Sequence, residues 1–425
     1  MSKILIVGAS GFIGSHLAVV LNTAGHEIVC AIKHFPPPED LREFTCIRVD
    51  YTCDFNVDVW KARVSGIDIV INAIGIIREH GEQTFEALHE WAPKALFSAS
   101  AAADVLIVQI SALGADERAS SQYHLSKKAA DDYLLSITAK AIIVQPSLVY
   151  GPGGASASMF NLLASLPVIP LPGAGDQKIQ PIHIDDLTQA VVALIETDQY
   201  YGQRLSLVGP EPITLQRYLS ELRHLMGLGR GRFVHIPVVL VNFVAKIGKW
   251  SGKGILDVDT WQMLQRGNTA DCSITREILG REPRPVRKFA SVGAAKDLRL
   301  SALIGWLLLV LRMALAAVWL VAGVVSMGIY PIEESYVLLA RVGITGILAP
   351  VTLYGAAAMD IGLGLGTLFL QNRRLLWIAQ GTLIGIYTIT ITFFLPEFWL
   401  HPFGPLIKNL PILAAILLLY KLEKR

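Results

Sequence analysis

Long apolar runs occupy the chain beyond residue 300, and they constrain its fold more than any other feature. They extend from about Ala302 to Ser326, from Val337 to Leu370, through a third run after Asn372-Arg373-Arg374, and through a shorter one that ends in Lys421, Lys424 and Arg425. Predominantly apolar runs of this length satisfy their own backbone groups as helices across a bilayer. The residues before them have mixed polarity, so two kinds of domain are expected. The overall composition of 52% hydrophobic and 17% charged residues averages the two.

A net charge of +2, with Lys and Arg scattered along the chain, gives nucleic acid no basic tract to bind. The four cysteines, Cys30, Cys46, Cys53 and Cys272, form no CxxC pair and read as reduced structural thiols, which offer little to a redox sensor. No metal site is expected. Asp185 and Asp186 read as a solvated helix start, because the nearby histidines lack ligand spacing. The apolar run Ile4 to Val7 is too short for a signal peptide and leads straight into glycines, which predicts a cytoplasmic N-terminal half.

That half opens with a strand pattern, Lys3 to Val7, then Gly8-Ala9-Ser10-Gly11-Phe12-Ile13-Gly14, then helical spacing through Leu17, Val20 and Leu21. Strand, glycine turn and helix together make a dinucleotide site. The glycines let the backbone approach a pyrophosphate, and the helix N-terminus offers unpaired amides to the anion. A second strand, Glu27 to Ile32, ends at Lys33-His34, where an acid would hold the ribose of NAD; a cation there favours NADP(H) over NAD(H). Further strands are predicted at Thr45 to Val49, Ile67 to Ile71, Val105 to Ile110 and Ala141 to Gln145, giving an α/β, Rossmann-like, doubly wound parallel sheet. Asp50, Ala73 and Gly75 lie at strand ends, where such sheets bind ligands.

Ser111 ends a predicted strand, and Tyr123 and Lys127 stand four apart at a helix start, on one face. An ammonium beside a phenol stabilises the phenolate, so Tyr123 is expected to relay a proton. Ser111 would hold a substrate oxygen, and Lys127 would reach the nicotinamide ribose. Turn signals multiply beyond Gly151, which predicts a smaller substrate lobe drawn mainly from residues 151–290. Its apolar residues, Met159, Phe160, Leu162, Leu163 and Leu166, read as core.

The glycine turn, Asp50, Asn72 to Gly75, Ile110 to Gly114, Tyr123 to Lys127, Pro146 to Pro152 and His183 to Leu187 together resemble the extended or atypical short-chain dehydrogenase/reductases. The nearest branch is the one similar to the 39-kDa accessory subunit of respiratory complex I. The resemblance implies an NAD(P)-binding fold with Ser111, Tyr123 and Lys127 in catalytic positions, and with Pro146 and Val149 near the nicotinamide. Gln145 stands where extended members carry Arg, and the helix of Glu90 and Trp91 lacks the Asn of many active members. Members of the complex I branch can hold a dinucleotide as a structural element without turnover.

The domains expected are therefore residues 1–290, a basic linker at 291–300 and a transmembrane domain at 301–425. Cationic flanks at Arg284, Arg287, Lys288, Lys296 and Arg299, at Arg373-Arg374 and at the C-terminus, against Glu333 and Glu334 in the other loop, predict four spans with both ends inside a cell inner membrane; the fourth is short and carries Lys408 and Pro411, which leaves a re-entrant or tilted segment open. Pro350 divides the second run into an interfacial segment and a span from about Ile347. Trp399 and Tyr420 suit the interfaces. Arg312 and Asp360 are expected to pair near the midplane. Leu303 to Arg425, with its Gly404 to Pro411 segment, resembles the DoxX-like four-helix membrane domain.

Two functions follow as expectations. One is a membrane-anchored NAD(P)H-dependent oxidoreductase acting by hydride transfer on a carbonyl, alcohol or quinone-like group of an apolar substrate. The other is a non-catalytic NADPH-binding accessory or assembly subunit of a respiratory or quinone-biosynthesis membrane complex.

Overall fold

The computed structural model of the chain describes residues 1–243 and 258–423. It divides into two compact units, Met1–Ala302 and Leu303–Arg425.

The first unit is built on a parallel sheet. Its strands are β1 (Lys3–Val7), β2 (Glu27–Ile32), β3 (Thr45–Arg48), β4 (Ile69–Asn72), β5 (Leu106–Ile110), β6 (Ala141–Pro146) and an edge strand, Gln203–Leu207. In space they run Gln203–Leu207, β6, β5, β4, β1, β2, β3, so the order reverses between β1 and β4. Every central strand is apolar on both sides because helices cover both faces. Ile4, Ile6, Ile69, Ile71, Val108 and Val144 enter one core with α1 (Phe12–Thr23) and the helix Ile184–Ile195. Leu5, Val7, Val70, Ile107 and Ile143 enter the other with α2 (Val57–Val64), α3 (Ala92–Ala102) and α4 (Gln122–Ile137).

A smaller lobe gathers the helices Ala155–Ser165 and Leu215–Leu225 with the parallel strand pair Val168–Pro172 and Arg232–Ile236. Phe160, Leu171, Tyr218, Leu219 and Leu222 form its core, with Met159, Leu163 and Leu166 packed against them.

The second unit is a multi-pass, membrane-spanning helical region. Among the described residues three helices are long and apolar enough to cross a bilayer: Val292–Ile329, Leu348–Phe369 and Arg374–Phe394. The amphipathic helix Ile332–Arg341 separates from Leu348–Phe369 near Pro350, which divides the second run as its length requires. One expectation, the partner of Arg312, needs correction.

Residues 292–300 are helical and begin the first long helix. The fourth apolar run forms only Asn409–Leu422, about 21 Å at 1.5 Å per residue and shorter than the roughly 30 Å hydrocarbon core. Gly404, Pro405 and Pro411 keep it from starting earlier; Lys424 and Arg425 lie outside the described residues.

Arg312 does not pair with Asp360. Its guanidinium lies 3.5 Å from Glu423, at the end where Arg373 also meets Glu423 at 3.9 Å. Asp360 stands on the order of 20 Å along the second span from Arg373, out of reach of that cluster. One carboxylate oxygen of Asp360 has no hydrogen-bond partner among the described residues, and the side chain is buried. An unpaired acid in hydrocarbon stabilises nothing by ionising. Asp360→Asn is therefore expected to leave the melting temperature of the full chain in detergent unchanged or raised. A fall of more than about 4 °C would require a cation partner.

Candidate functional site

The cleft opens at the carboxyl ends of β1, β2 and β4, where the strand order reverses and a parallel sheet parts to admit a ligand. Its volume is about 220 Å³, and its walls include Gly8, Ser10, Gly11, Lys33, Asp50, Ala73 and Gly75. Gly8 has φ +84°, and a Cβ there would meet Ile74 Cγ1 at 2.7 Å, so only glycine turns the chain here. The Gly11 amide donates to the Gly8 carbonyl at 2.9 Å, which closes the turn. No side chain caps α1, so its first amides remain available to an anion.

Phe12, Ile13 and Gly14 lie behind this wall. Phe12 packs against Gly151 and Gly154, Ile13 joins the sheet core, and Gly14 sits directly on the Gly8 backbone. Pro146 ends β6 and accepts the Leu113 amide at 2.9 Å, while Val149 pairs with Ile182 beyond it. Thr52, Ile76, Gln83 and Leu88 also line the cleft, although no sequence pattern singled them out.

Asp50 stands beside Lys33. Its carboxylate lies 3.0 Å from the Lys33 ammonium and accepts from the Thr52 amide at 2.9 Å and hydroxyl at 2.6 Å. Burial pushes its pKa up, but the Thr52 bonds and Lys33 outweigh that and hold it below the usual carboxylate range.

Behind the cleft wall at Ile74 and Gly75, Tyr123, Lys127 and Asp131 follow one another at four-residue spacing on α4. Lys127 is buried, and its ammonium donates to the carbonyls of Ile74 at 2.9 Å and Ile110 at 3.2 Å. A Cβ on Gly75 would press on that ammonium at 3.1 Å, so the glycine makes room for it. Ser111 donates to Asp131 at 2.5 Å, and Gln145 reaches Asp131 at 3.4 Å. Burial drives Lys127 and Asp131 in opposite directions, lowering the pKa of the amine and raising that of the acid. The Tyr123 phenol is pushed up to about 12, chiefly by burial and then by the Asp131 charge. That is the reverse of the lowering expected from a neighbouring ammonium, because Lys127 directs its protons to backbone carbonyls and Asp131 is the other charge acting on the phenol.

His89 was missed by sequence reasoning. It lies in a π-helical turn, Glu86–Trp91, just before α3, and is 1% exposed. The Ile76 amide donates to Nε2 at 3.0 Å, so that nitrogen is unprotonated and Nδ1 carries the hydrogen, 2.9 Å from Ser126 Oγ. Ser126 then donates to the Tyr123 carbonyl at 3.0 Å. The chain links the cleft wall at Ile76 to the residue carrying the phenol. The His89 ring also stands edge-on to Tyr123, with centroids 5.6 Å apart. Burial, with Lys127 adding to it, pushes the His89 pKa down to about 2. A π-turn leaves no periodic mark in sequence, whereas Asp131 could have been read from the repeat of Tyr123 and Lys127.

Strand order, glycine turn and cleft define the N-terminal unit as a Rossmann-fold NAD(P)-binding domain, oxidoreductase-like in fold, fused to a DoxX-like membrane helical region. Residues 4–205 match the NAD dependent epimerase/dehydratase family, and residues 316–417 match the DoxX-like family. The chain is 27% identical over 236 residues to a ceramide reductase of Caulobacter vibrioides, across 55% of this chain and 73% of that protein. It is 26% identical over 253 residues to the mitochondrial NADH dehydrogenase (ubiquinone) 1 alpha subcomplex subunit 9 of Arabidopsis thaliana, covering 56% of this chain and 61% of that protein. The Mus musculus subunit 9 is 25% identical over 301 residues, covering 66% of this chain and 76% of its own length.

Among solved structures, UDP-glucuronic acid 4-epimerase of Bacillus cereus, in complex with UDP-glucuronic acid and NAD, superposes with a TM-score of 0.52 at 20% identity. It covers 70% of this chain and 99% of its own. The dTDP-glucose 4,6-dehydratase of Bacillus anthracis, in complex with NAD, gives 0.52 at 14% identity over 68% of this chain and 95% of its own.

The expected preference for NADP(H) is overturned. The matching family is NAD dependent, and these structural neighbours were solved with NAD. Physically, the Lys33 ammonium is occupied by Asp50, so the cation expected to meet a 2′-phosphate is already neutralised by a carboxylate supplied from the end of β3.

Proposed function

We propose that this chain is a non-catalytic accessory or assembly subunit of a respiratory or quinone-biosynthesis membrane complex, in which an NAD-type dinucleotide braces the N-terminal domain. The observation that carries this reading is the internal bonding of the catalytic candidates. Ser111 spends its proton on Asp131, Lys127 spends its ammonium on two carbonyls, and the Tyr123 phenol is held near 12, far from a working proton donor. The relatives named as subunits of NADH dehydrogenase support it.

In this reading Gly8, Gly11 and the α1 amides hold the diphosphate, with Ser10, Phe12, Ile13 and Gly14 shaping the turn. Lys33, Asp50, Ala73 and Gly75 border the ribose and adenine, and Pro146 and Val149 the nicotinamide end. The membrane is a bacterial inner membrane, with the nucleotide domain and the Arg373-Arg374 loop on the cytoplasmic side.

A second reading is favoured by one observation: Tyr123 and Lys127 share a face of α4 with Asp131, which holds Ser111, and Lys127 bonds the cleft-wall carbonyl of Ile74; one relative is named a ceramide reductase. Hydride would then pass between NAD(H) and a carbonyl or alcohol of an apolar substrate, with Tyr123 moving the proton.

Single-turnover oxidation of stoichiometric NADH, with quinones, isoprenoid carbonyls and ceramide-type ketones, separates the two. The accessory role predicts no substrate-dependent oxidation in wild type. It also predicts thermal stabilisation by NADH, worth about 2.7 kcal/mol at a hundredfold excess over Kd. Oxidation that drops about a hundredfold or more in Tyr123→Phe would establish the enzyme instead.

A further inference from the structure

We propose that the cationic cluster at one end of the helical unit binds the phosphate of an anionic phospholipid. Arg312 comes from the first span, Arg373 and Arg374 from the start of the third, and Lys421 from the end of the last helix. Among the described residues Glu423 is the acid paired with Arg312 and Arg373, while Arg374 and Lys421 lie against Tyr420. One Glu423 oxygen lies 3.5 Å from Arg312; the other lies 3.9 Å from Arg373 and accepts the Trp377 indole N–H at 3.1 Å. Four cations beside one carboxylate leave the group positive, with Arg312 and Arg373 partly buried and Arg374 and Lys421 exposed at its edge. The side chains of Arg312, Arg373 and Glu423 are 24%, 15% and 20% exposed.

The depth selects the ligand. Arg374 opens a spanning helix and Leu422 closes the last one, so the cluster lies where hydrocarbon gives way to headgroups. Trp377 and Tyr420 are the aromatic residues favoured at that level. Tyr420 accepts from Arg374 Nε at 3.0 Å and lies under its guanidinium at 5.2 Å, which fixes that exposed arginine. Arg373 is held by its Nε bond to the Thr367 carbonyl at 3.1 Å, with Nη1 toward Glu423. Guanidinium forks held by Nε present paired N–H groups to a phosphate, and the amides opening the third span add a positive dipole end.

The test uses the full chain in nanodiscs of phosphatidylcholine alone or with phosphatidylglycerol, reading thermal stability and, by native mass spectrometry, the lipid retained. Wild type should retain phosphatidylglycerol selectively and melt higher in its presence. Arg373→Gln and Arg312→Gln should each weaken that selectivity about fivefold, and Arg373→Lys should keep more of it. Equal behaviour in the two lipids, or an Arg373→Gln variant as selective as wild type, would overturn the proposal. So would stabilisation in phosphatidylcholine discs by inorganic phosphate equal to that by phosphatidylglycerol, which would make free phosphate the ligand. Should Arg373→Gln not assemble, Arg312→Gln and Arg373→Lys decide the matter.

Discussion

Replacing Gly14 with alanine is expected to weaken NADH binding by about 5- to 150-fold, the equivalent of the 1–3 kcal/mol that overpacking costs. A Cβ at Gly14 would stand 2.2 Å from the Gly8 carbonyl oxygen, 2.8 Å from its carbon and 2.9 Å from Ala9 Cα, all backbone atoms. None can swing aside as a side-chain tip can. Helix α1 must therefore back away from the turn, taking with it the amides meant for the diphosphate. Gly11→Ala is the internal control, because its Cβ would meet only the Gly8 oxygen, at 3.2 Å, and a few tenths of an ångström suffice. Titration of NADH fluorescence into wild type and the two variants should rank them wild type, Gly11→Ala, Gly14→Ala in falling affinity. Equal affinity for wild type and Gly14→Ala would remove the diphosphate from this turn.

The parts of the fold that were legible are those in which one local signal suffices. Strands β1, β2, β4, β5 and β6 are buried on both faces and read as short apolar runs, and the glycine turn reads from its flanks. The edge strand Gln203–Leu207 escaped notice because only Leu205 and Leu207 are buried and apolar, half of what a central strand shows. At the site, sequence placed Lys33 and Asp50 as separate contacts. The charge of Lys33 alone pointed to NADP(H), and only the alignment of β2 with β3 brings the neutralising carboxylate beside it. The same limit explains the membrane half. Hydropathy located the helices, but the partner of Arg312 depends on where its helix begins and on a glutamate at the far end of the chain.

Acid sensitivity should expose the buried histidines of the N-terminal unit. His89 is held at about 2 and His124 at about 4, in each case mainly by burial, against about 6.5 in an unfolded chain. Both are neutral when folded, so below about pH 6.5 the unfolded state binds the extra protons, and stability rises with pH. The contribution is complete above about 6.5 and is lost as pH falls toward the folded values, by about 1.4 kcal/mol per pH unit for each histidine. Asp131 works the other way, because burial raises its pKa and the folded state takes up its proton first; its gain offsets part of the loss at the acid end of the range. The melting temperature of the full chain in detergent should therefore fall between pH 7 and pH 5, while its Tyr123 environment is still intact. His89→Asn removes one titrating group and should lower the pH slope of stability by about 1.4 kcal/mol per pH unit, whatever its own stability at pH 7. A variant with the wild-type slope would mean that His89 takes up its proton in the folded protein, and the bond from the Ile76 amide to Nε2 would have to be abandoned.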